Sequence, residues 1–155
     1  YGMTLIAGGR EIDIPILPEK LKVTSPGNND TATVLVLGDI LILRKKGFGL
    51  RLGQFFSGIP LLHDAIYRNG GDEFIAIIDG DKTEANIRNL ASFIHRRFAQ
   101  PWRLKRGEVF CNVSIGVARY PEDGRTAEEL LLKADQAMYK VKKAGGKGVL
   151  FGYEL

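Results

Sequence analysis

The chain has 155 residues, the length of one domain that can bury a sizeable hydrophobic core. Its composition, 45% apolar and 26% charged, excludes a disordered chain, and no apolar run reaches the roughly 18 residues that span a bilayer. The formal net charge is +4, and the excess of cations falls in the second half, where Lys140, Lys142, Lys143 and Lys147 are close in sequence.

Two features of the sequence predict the cellular location of the chain and the kind of protein that contains it. Cys111 is the only cysteine, so an internal disulfide is excluded and a reducing, cytoplasmic location is predicted. The first residue is Tyr1 and not Met, which predicts a single domain (1–155) cut from a longer multidomain protein. Such a piece would not reveal a membrane anchor elsewhere in the parent.

The first half of the chain predicts one clear strand. Residues 1–30 contain three prolines and end in turn-forming residues, which indicates an irregular or short-strand segment and no long helix. "TATVLVL" (31–37) is β-branched and continuously apolar, as in a strand buried on both faces. Residues 40–64 contain several glycines and Pro60, which argue against one continuous helix.

The middle of the chain predicts a hairpin and then a helix. "AIYRN" and "FIAIID" flank "GGDE", a pattern typical of two strands joined by a tight turn. Asp81 and Glu84 fit a capping box before apolar residues at helical spacing that extend to Phe98.

The last third predicts a strand, a helix and a final strand. "EVFCNVSIGVARY" (108–120) indicates one long strand, and Thr126 with Glu129 fits the start of a second amphipathic helix. Gly145 and Gly146 end that helix, and "KGVLFGY" follows as a strand. Together these elements predict one α/β (α+β) domain whose sheet is covered by amphipathic helices.

The turn Gly70-Gly71-Asp72-Glu73 combines residues that suit phosphate and metal chemistry. Glycines allow the backbone to approach a ligand closely, and carboxylates are the oxygen ligands that Mg²⁺ prefers. Turns are commonly polar, so an ordinary hairpin remains an alternative at this point. Phosphoryl transfer would need a second carboxylate from a neighbouring strand end, where Asp39 is the available acid, and a cation near the phosphates.

Three motifs in order resemble one known family. "RNGGDEF" (68–74), "VSIGVARYPEDG" (113–124) and "ADQAMYKVKKAGG" (134–146) are similar to the GGDEF family of diguanylate cyclase domains, with a match from Asp64 to about Phe151. The ending is especially similar to GGDEF domains that precede an EAL phosphodiesterase domain. Residues 1–30 match the family poorly.

The resemblance implies a fold and a reaction. The fold would be similar to nucleotidyl cyclases and polymerase palms, with a mostly antiparallel central sheet flanked by helices and the motif on a β-hairpin. Two such domains, each holding GTP, form a homodimer that makes cyclic di-GMP and two pyrophosphates. Mg²⁺ or Mn²⁺ is the cofactor that accompanies the nucleotide.

The resemblance also implies roles for residues that match the family motifs. Asp72 would be a metal ligand, and Glu73 would help to activate the attacking hydroxyl. The backbone of Gly70 and Gly71 would approach the nucleotide, and Lys142 would meet the triphosphate.

The chain departs from the family on the opposite side of the site. Leu37 stands where the family has a metal-binding Asp, Lys45 replaces an Asn that contacts guanine, and Gln54 replaces a guanine-binding Asp. Asp39 matches a second family acid, and a bulge at Gly38 would be one way to bring it to the metal site.

The product-inhibition motif of the family, R-x-x-D, is incomplete as well. Asp64 is kept, but Leu61 occupies the place of the Arg, which would read guanine and phosphate. Feedback binding of cyclic di-GMP is therefore expected to be weak, and Asp64 is only a remnant of that inhibitory site.

Three functions follow from these observations. The favoured prediction is a degenerate, catalytically impaired GGDEF domain that regulates a neighbouring sensory or EAL domain and binds GTP weakly. The alternative is an active diguanylate cyclase. A basic nucleic-acid-binding module with a palm-like fold is a distant third, since basic and aromatic residues do not interleave on a strand, and no nucleic-acid partner is expected.

Overall fold

The computed structural model describes most of the chain after residue 31 and two short segments before it. The described residues are 3–7, 10–14, 32–63, 65–68, 72–79 and 83–155. Gly70, Gly71 and Asp64 lie outside them, as does most of the segment 1–30.

Nine strands and three α-helices make up the described fold. The strands are β1 Met3–Ala7, β2 Arg10–Ile14, β3 Ala32–Gly38, β4 Ile66–Arg68, β5 Phe74–Asp79, β6 Trp102–Leu104, β7 Gly107–Val109, β8 Ser114–Tyr120 and β9 Gly148–Phe151. The helices are α1 Phe48–Ser57, α2 Glu84–Phe98 and α3 Ala127–Lys143. Short 3-10 turns cover Leu41–Arg44, Pro60–Leu62 and Gly152–Glu154.

Seven of the strands form one sheet in the order β2-β1-β4-β5-β3-β8-β9. All of these pairings are antiparallel except β8–β9, which is parallel. The predicted palm-like architecture, a mostly antiparallel sheet flanked by helices with the motif on the β4–β5 hairpin, is confirmed.

Strand β3 lies inside the sheet, between β5 and β8, and is buried on both faces, as its apolar run predicts. Its register places Leu37 opposite Phe74 of β5 and opposite Ile115 of β8. Leu35 and Leu37 face one hydrophobic cluster, whereas Val34 and Val36 face the other, because alternate side chains point to opposite sides. The first cluster includes residues of α1 and α2, and the second includes residues of α3.

The segment after β3 is broken, as its glycines predict. A 3-10 turn covers Leu41–Arg44, and α1 begins after Gly47, which has a left-handed φ of 87°. A second 3-10 turn at Pro60–Leu62 leads towards β4.

The two long helices begin at capping threonines. Thr83 caps α2 by accepting a hydrogen bond from Asn86 N at 3.1 Å, so the predicted box of Asp81 with Glu84 is wrong. Asp81 itself lies outside the described residues. Thr126 caps α3 by accepting from Glu129 N at 3.1 Å, as predicted. The strong preference of threonine for the N-cap explains both starts.

The prediction of one long strand over 108–120 is wrong. β7 pairs with β6 in a separate two-stranded sheet, and the chain re-enters the main sheet only at Ser114. The local hairpin gives β7 a partner of its own, and Gly107, with a φ of 132°, lies at its turn. Residues 110–113, between the sheets, belong to neither of them.

Helix α3 rests directly on β8, and this contact positions its C-terminal end. A Cβ at Gly116 would lie 1.9 Å from the carbonyl oxygen of Ala134, so only glycine allows the two backbones to approach this closely. Lys142, in the last turn of α3, is thereby carried beside the exit of β3. Within the described residues, no helix combines the length and apolar character that a membrane span requires.

Candidate functional site

The exit of β3 and the turn of the β4–β5 hairpin meet at one edge of the sheet. Asp72 and Glu73 directly precede β5, whose first residue, Phe74, pairs with Leu37. The backbone N–H of Ile40 donates a hydrogen bond of 2.9 Å to the carbonyl oxygen of Asp72. The side chains of Asp72 and Glu73 are half-buried.

Asp39 occupies a special backbone position beside this turn. Its φ is 61°, in the left-handed region that Asp tolerates better than most residues. Its carboxylate, 20% exposed, lies 3.4 Å from Nζ of Lys142, which is 48% exposed. The structure therefore brings Asp39, Lys142 and the backbone of Asp72 to the same corner.

The expected route by which Asp39 would reach a metal site is not observed. Gly38 continues the regular register of β3 opposite Ser114, so there is no bulge at Gly38. The chain turns at Asp39 instead, and the carboxylate forms an ion pair with the cation of α3.

Leu37 is part of the hydrophobic core. Its side chain is 0% exposed and belongs to the same cluster as Ile40, Phe74 and Ile115. The strand position at which the family resemblance implies a metal-binding carboxylate therefore has no polar side chain.

Lys45 and Gln54 are both exposed but lie on different elements. Lys45 follows the 3-10 turn and, with Asp39, lines a cavity of about 290 Å³. The remaining lining residues are Leu41, Ile42, Val109, Phe110, Cys111 and Asn112. Gln54 lies on the exposed side of α1, nearly one turn before its end.

Two polar residues at this corner were missed by the sequence reasoning. A Cβ at Gly146, which has a φ of 75°, would lie 3.8 Å from Asp39 Oδ2, 3.8 Å from Ser114 Oγ and 3.9 Å from Asn112 Nδ2. Ser114 is 0% exposed, and its hydroxyl has no hydrogen-bond partner within the described residues. A serine in an apolar strand run was the signal available for it.

Arg68 was missed as well, and its place is structural. Its guanidinium donates to the carbonyl oxygen of Leu43 at 3.3 Å, which ties β4 to the 3-10 turn after β3. A Cβ at Gly49 would lie 2.1 Å from Arg68 Nη1, so the first turn of α1 makes room for this side chain.

Cys111 is a buried thiol at the cavity wall. It is 8% exposed, and burial raises the pKa of its thiol, which therefore stays protonated near neutral pH. Cys111 thus has the environment of a small buried hydrophobic residue.

The donor set at this corner does not amount to a metal centre. No three side chains of the His, Cys, Asp and Glu types come close enough together in the described part of the chain to hold a metal ion. Asp39 is paired with Lys142, and Leu37 offers no donor. A divalent cation at this corner would therefore have to share the carboxylates of Asp72 and Glu73 with oxygen atoms of a bound nucleotide.

A family model matches most of the described chain. The model "Diguanylate cyclase, GGDEF domain" matches residues 46–148. Among curated proteins, the bifunctional diguanylate cyclase/cyclic di-GMP phosphodiesterase MucR of Pseudomonas aeruginosa is 43% identical over 115 residues, 74% of this chain and 16% of that protein. The cyclic di-GMP phosphodiesterase PdeR of Escherichia coli is 36% identical over 89 residues, 57% of this chain and 13% of that protein. The chain thus spans a small part of these relatives.

Solved structures share the fold. An EAL/GGDEF domain protein from M. capsulatus superposes with a TM-score of 0.65 at 30% identity, covering 86% of this chain and 91% of that one. The GGDEF domain of TpbB (YfiN) from Pseudomonas aeruginosa gives a TM-score of 0.67 at 26% identity, covering 81% and 78%. With the family model, the shared sheet and the hairpin that carries the motif, the chain belongs to the GGDEF family of cyclic di-GMP signalling domains.

Proposed function

We propose that this GGDEF domain is catalytically impaired and regulates a neighbouring domain, with weak binding of GTP at the hairpin. The observation that carries the proposal is the burial of Leu37. Its side chain fills the core at the strand end where the family would present a carboxylate. A position that supplies core packing cannot also supply a metal ligand.

The side that would recognise guanine supports the same proposal. A carboxylate accepts from two guanine N–H groups at once, whereas Gln54 offers one acceptor oxygen and an NH₂ donor. Lys45 has donors only, where an Asn would offer both a donor and an acceptor. Mismatched polar groups at a binding site commonly cost a few kcal/mol, about a hundredfold in affinity.

Residual nucleotide binding is proposed at the other side of the site. The backbone of Gly70 and Gly71 would approach the nucleotide, and Asp72 with Glu73 would face the metal-bound phosphates of the family's substrate. Lys142 is only weakly held by Asp39, since the pair is partly exposed, so its charge remains available to a phosphate. Mg²⁺ or Mn²⁺ would then arrive with the nucleotide.

The domain is proposed to act within a longer cytoplasmic protein. The neighbouring domain would be a sensory or EAL domain. Among the relatives, MucR is a bifunctional cyclase and phosphodiesterase, and the M. capsulatus protein is an EAL/GGDEF domain protein. The inhibitory remnant at Asp64, with Leu61 in the place of the Arg, is not expected to bind cyclic di-GMP tightly. GTP occupancy would therefore be the regulatory variable.

The first experiment measures cyclase activity. The purified chain is incubated with GTP and Mg²⁺ or Mn²⁺, and the products are separated by chromatography. No cyclic di-GMP, or only a trace, is expected. Clear product that disappears in Glu73→Ala would contradict the impaired function and establish the alternative, an active diguanylate cyclase acting as a homodimer.

A second experiment tests the guanine side separately. The double variant Lys45→Asn with Gln54→Asp restores the family's polar groups on exposed positions and leaves the core untouched. Calorimetric titration is expected to show at least about tenfold tighter GTP binding than in the unmodified chain. Equal affinities would show that these two residues do not limit recognition.

The alternative of an active cyclase is favoured by one observation. The motif hairpin forms, and its turn is bonded to the exit of β3 through Ile40 and Asp72.

A titration with GTP that shows no heat, with and without metal, would exclude both nucleotide proposals and leave a domain that acts only as a scaffold.

A further inference from the structure

Two guanidinium groups lie over one buried indole, which belongs to the hydrophobic cluster that includes residues of α1 and α2. Trp102, the only tryptophan of the chain, is 2% exposed. Cζ of Arg97, from the last turn of α2, lies 3.6 Å from its ring centroid, and Cζ of Arg51, from α1, lies 5.8 Å from it. Arg51 also lies over Phe48, at 5.0 Å.

Neither guanidinium has a carboxylate partner among the described residues. Arg51 Nη1 donates to the carbonyl oxygen of Arg103 at 2.9 Å. Arg97 Nη1 donates to the carbonyl oxygens of Gln100 at 3.3 Å and Pro101 at 3.5 Å. Arg88, by contrast, contacts two carboxylates, at 2.7 and 2.8 Å. A guanidinium has five N–H donors, so Arg51 and Arg97 keep most of theirs for a ligand.

The electrostatics of the pair favour an anion. Burial lowers the pKa of Arg97, and the neighbouring charge of Arg51 lowers it further. Both cations lie near the same Trp102 ring centroid, at 3.6 and 5.8 Å, which agrees with this repulsion. The indole N–H of Trp102 is a buried donor with no acceptor in the described part of the chain. This N–H lies in the plane of the ring, whereas the guanidiniums lie over the ring, so the donors and the positive charge of the site come from the two arginines.

We propose that Arg51 and Arg97 form an oxyanion site beside Trp102 that binds a phosphate group. A phosphate carries nearly two negative charges at neutral pH and several acceptor oxygens, which matches two planar cations. Stacking on the aromatic faces orients both guanidiniums before the ligand arrives, which lowers the entropy cost of binding. None of these residues is assigned to the nucleotide at the hairpin, so the site is independent of the proposed function.

The single tryptophan gives the test a direct signal. Inorganic phosphate is titrated into the full chain at constant ionic strength, with chloride as the balancing anion, while the emission of Trp102 is followed. A saturable change is expected. In Arg51→Gln and in Arg97→Gln, the affinity should fall at least about tenfold, because each removes a charged hydrogen-bonding partner.

The matched control is Arg106→Gln. Arg106 is exposed at the turn of the β6–β7 hairpin, and its loss changes the net charge by the same amount. Its phosphate affinity should equal that of the unmodified chain. A linear, unsaturated response, or equal weakening by Arg106→Gln and Arg51→Gln, would overturn the site and leave only a general charge effect.

Two further measurements test whether Arg97 contacts the phosphate directly and which phosphate compound binds. Arg97→Lys retains the charge but not the planar fork, so an intermediate affinity is expected if Arg97 chelates the phosphate and an unchanged affinity would overturn its direct contact. A parallel titration with GTP distinguishes the source of the phosphate. Weaker GTP binding in Arg51→Gln would assign the nucleotide to this site, and unchanged GTP binding would assign free phosphate or a smaller phosphate ester.

Discussion

The two sides of the candidate site, the turn before β5 and the end of β3, differ in polarity and burial. On the hairpin side, Asp72 and Glu73 are half-buried and precede a strand that begins only at Phe74. On the β3 side, Leu37 is fully buried in the main core and pairs with strands on both edges. One side retains the family's polar motif, and the other has been taken into the hydrophobic core.

The comparison shows that strand pairing at this position does not depend on the type of side chain. Pairing of Leu37 with Phe74 and Ile115 uses backbone groups, which are the same for any side chain except proline. A leucine there therefore preserves the register that presents the hairpin. It also adds apolar burial to the fold, with a side chain that offers no metal ligand.

The largest predicted effect tests the core role of Leu37. Leu37→Ala should lower the free energy of unfolding by about 3 kcal/mol, because it removes a buried side chain and leaves a cavity. Leu132→Ala, at a position of α3 that is 59% exposed, is the matched control and should change it by less than about 0.5 kcal/mol. Urea denaturation followed by circular dichroism measures both.

The same measurement on the hairpin side sharpens the contrast. Glu73→Gln should change the free energy of unfolding by less than about 1 kcal/mol, since the charge lies at a turn and not in the core. If Leu37→Ala cost less than Glu73→Gln, the assignment of the two sides to core and to site would be reversed.

A smaller effect is expected at the corner that joins the sides. A double-mutant cycle of Asp39→Asn and Lys142→Gln should give a coupling energy below about 1 kcal/mol that falls further in 1 M NaCl, since the pair is partly exposed. Asn also tolerates the left-handed backbone of Asp39, so the cycle isolates the charge. A coupling well above this range, insensitive to salt, would mean that Lys142 is locked and cannot meet a phosphate.

The smallest effect concerns pH and lies away from both sides. Hydrogen bonds from Tyr153, and then from Arg88, lower the pKa of Glu84. The stability that Glu84 contributes is therefore present above the unfolded pKa of about 4.3 and is lost as the pH falls through the lower folded pKa.

Thermal denaturation between pH 7 and pH 3 tests this linkage. The advantage of the unmodified chain over Glu84→Gln should be constant above about pH 5 and should shrink below about pH 4.3. Tyr153→Phe removes the leading hydrogen bond and should reduce the same pH dependence. An advantage that grew with acidity would contradict the direction of the shift.

Local patterns predicted the elements better than their connections. The apolar run of β3, the amphipathic spacing of α2 and α3, the hairpin around the motif and the threonine cap of α3 all follow from short-range physics, and the structure has them. For α2 the sequence predicts a cap at Asp81, but Thr83, two residues later, takes that position.

Features that depend on contacts between residues far apart in sequence could not be predicted from local patterns. The division of 108–120 between two sheets follows from the pairing of β7 with β6, which no local pattern separates from a continuous strand. Ser114 comes beside Asp39 through the β3–β8 register, which pairs Ser114 with Gly38, the residue before Asp39. The guanidiniums of Arg51 and Arg97 come from separate helices, so their meeting over Trp102 is a product of tertiary packing.

The hydrogen bond from Ile40 N to Asp72 O makes hydrogen exchange at the Ile40 amide a measure of where the motif turn lies. Its proton is protected from exchange with water as long as the motif turn stays against the exit of β3. A ligand that draws the turn outward would expose this proton, and a ligand that clamps the turn would protect it further. Ile40 leads directly into the 3-10 turn before α1, so a displacement of the motif turn would act on that helix as well. Ligand binding at the hairpin would then change the position of α1 without any chemical step.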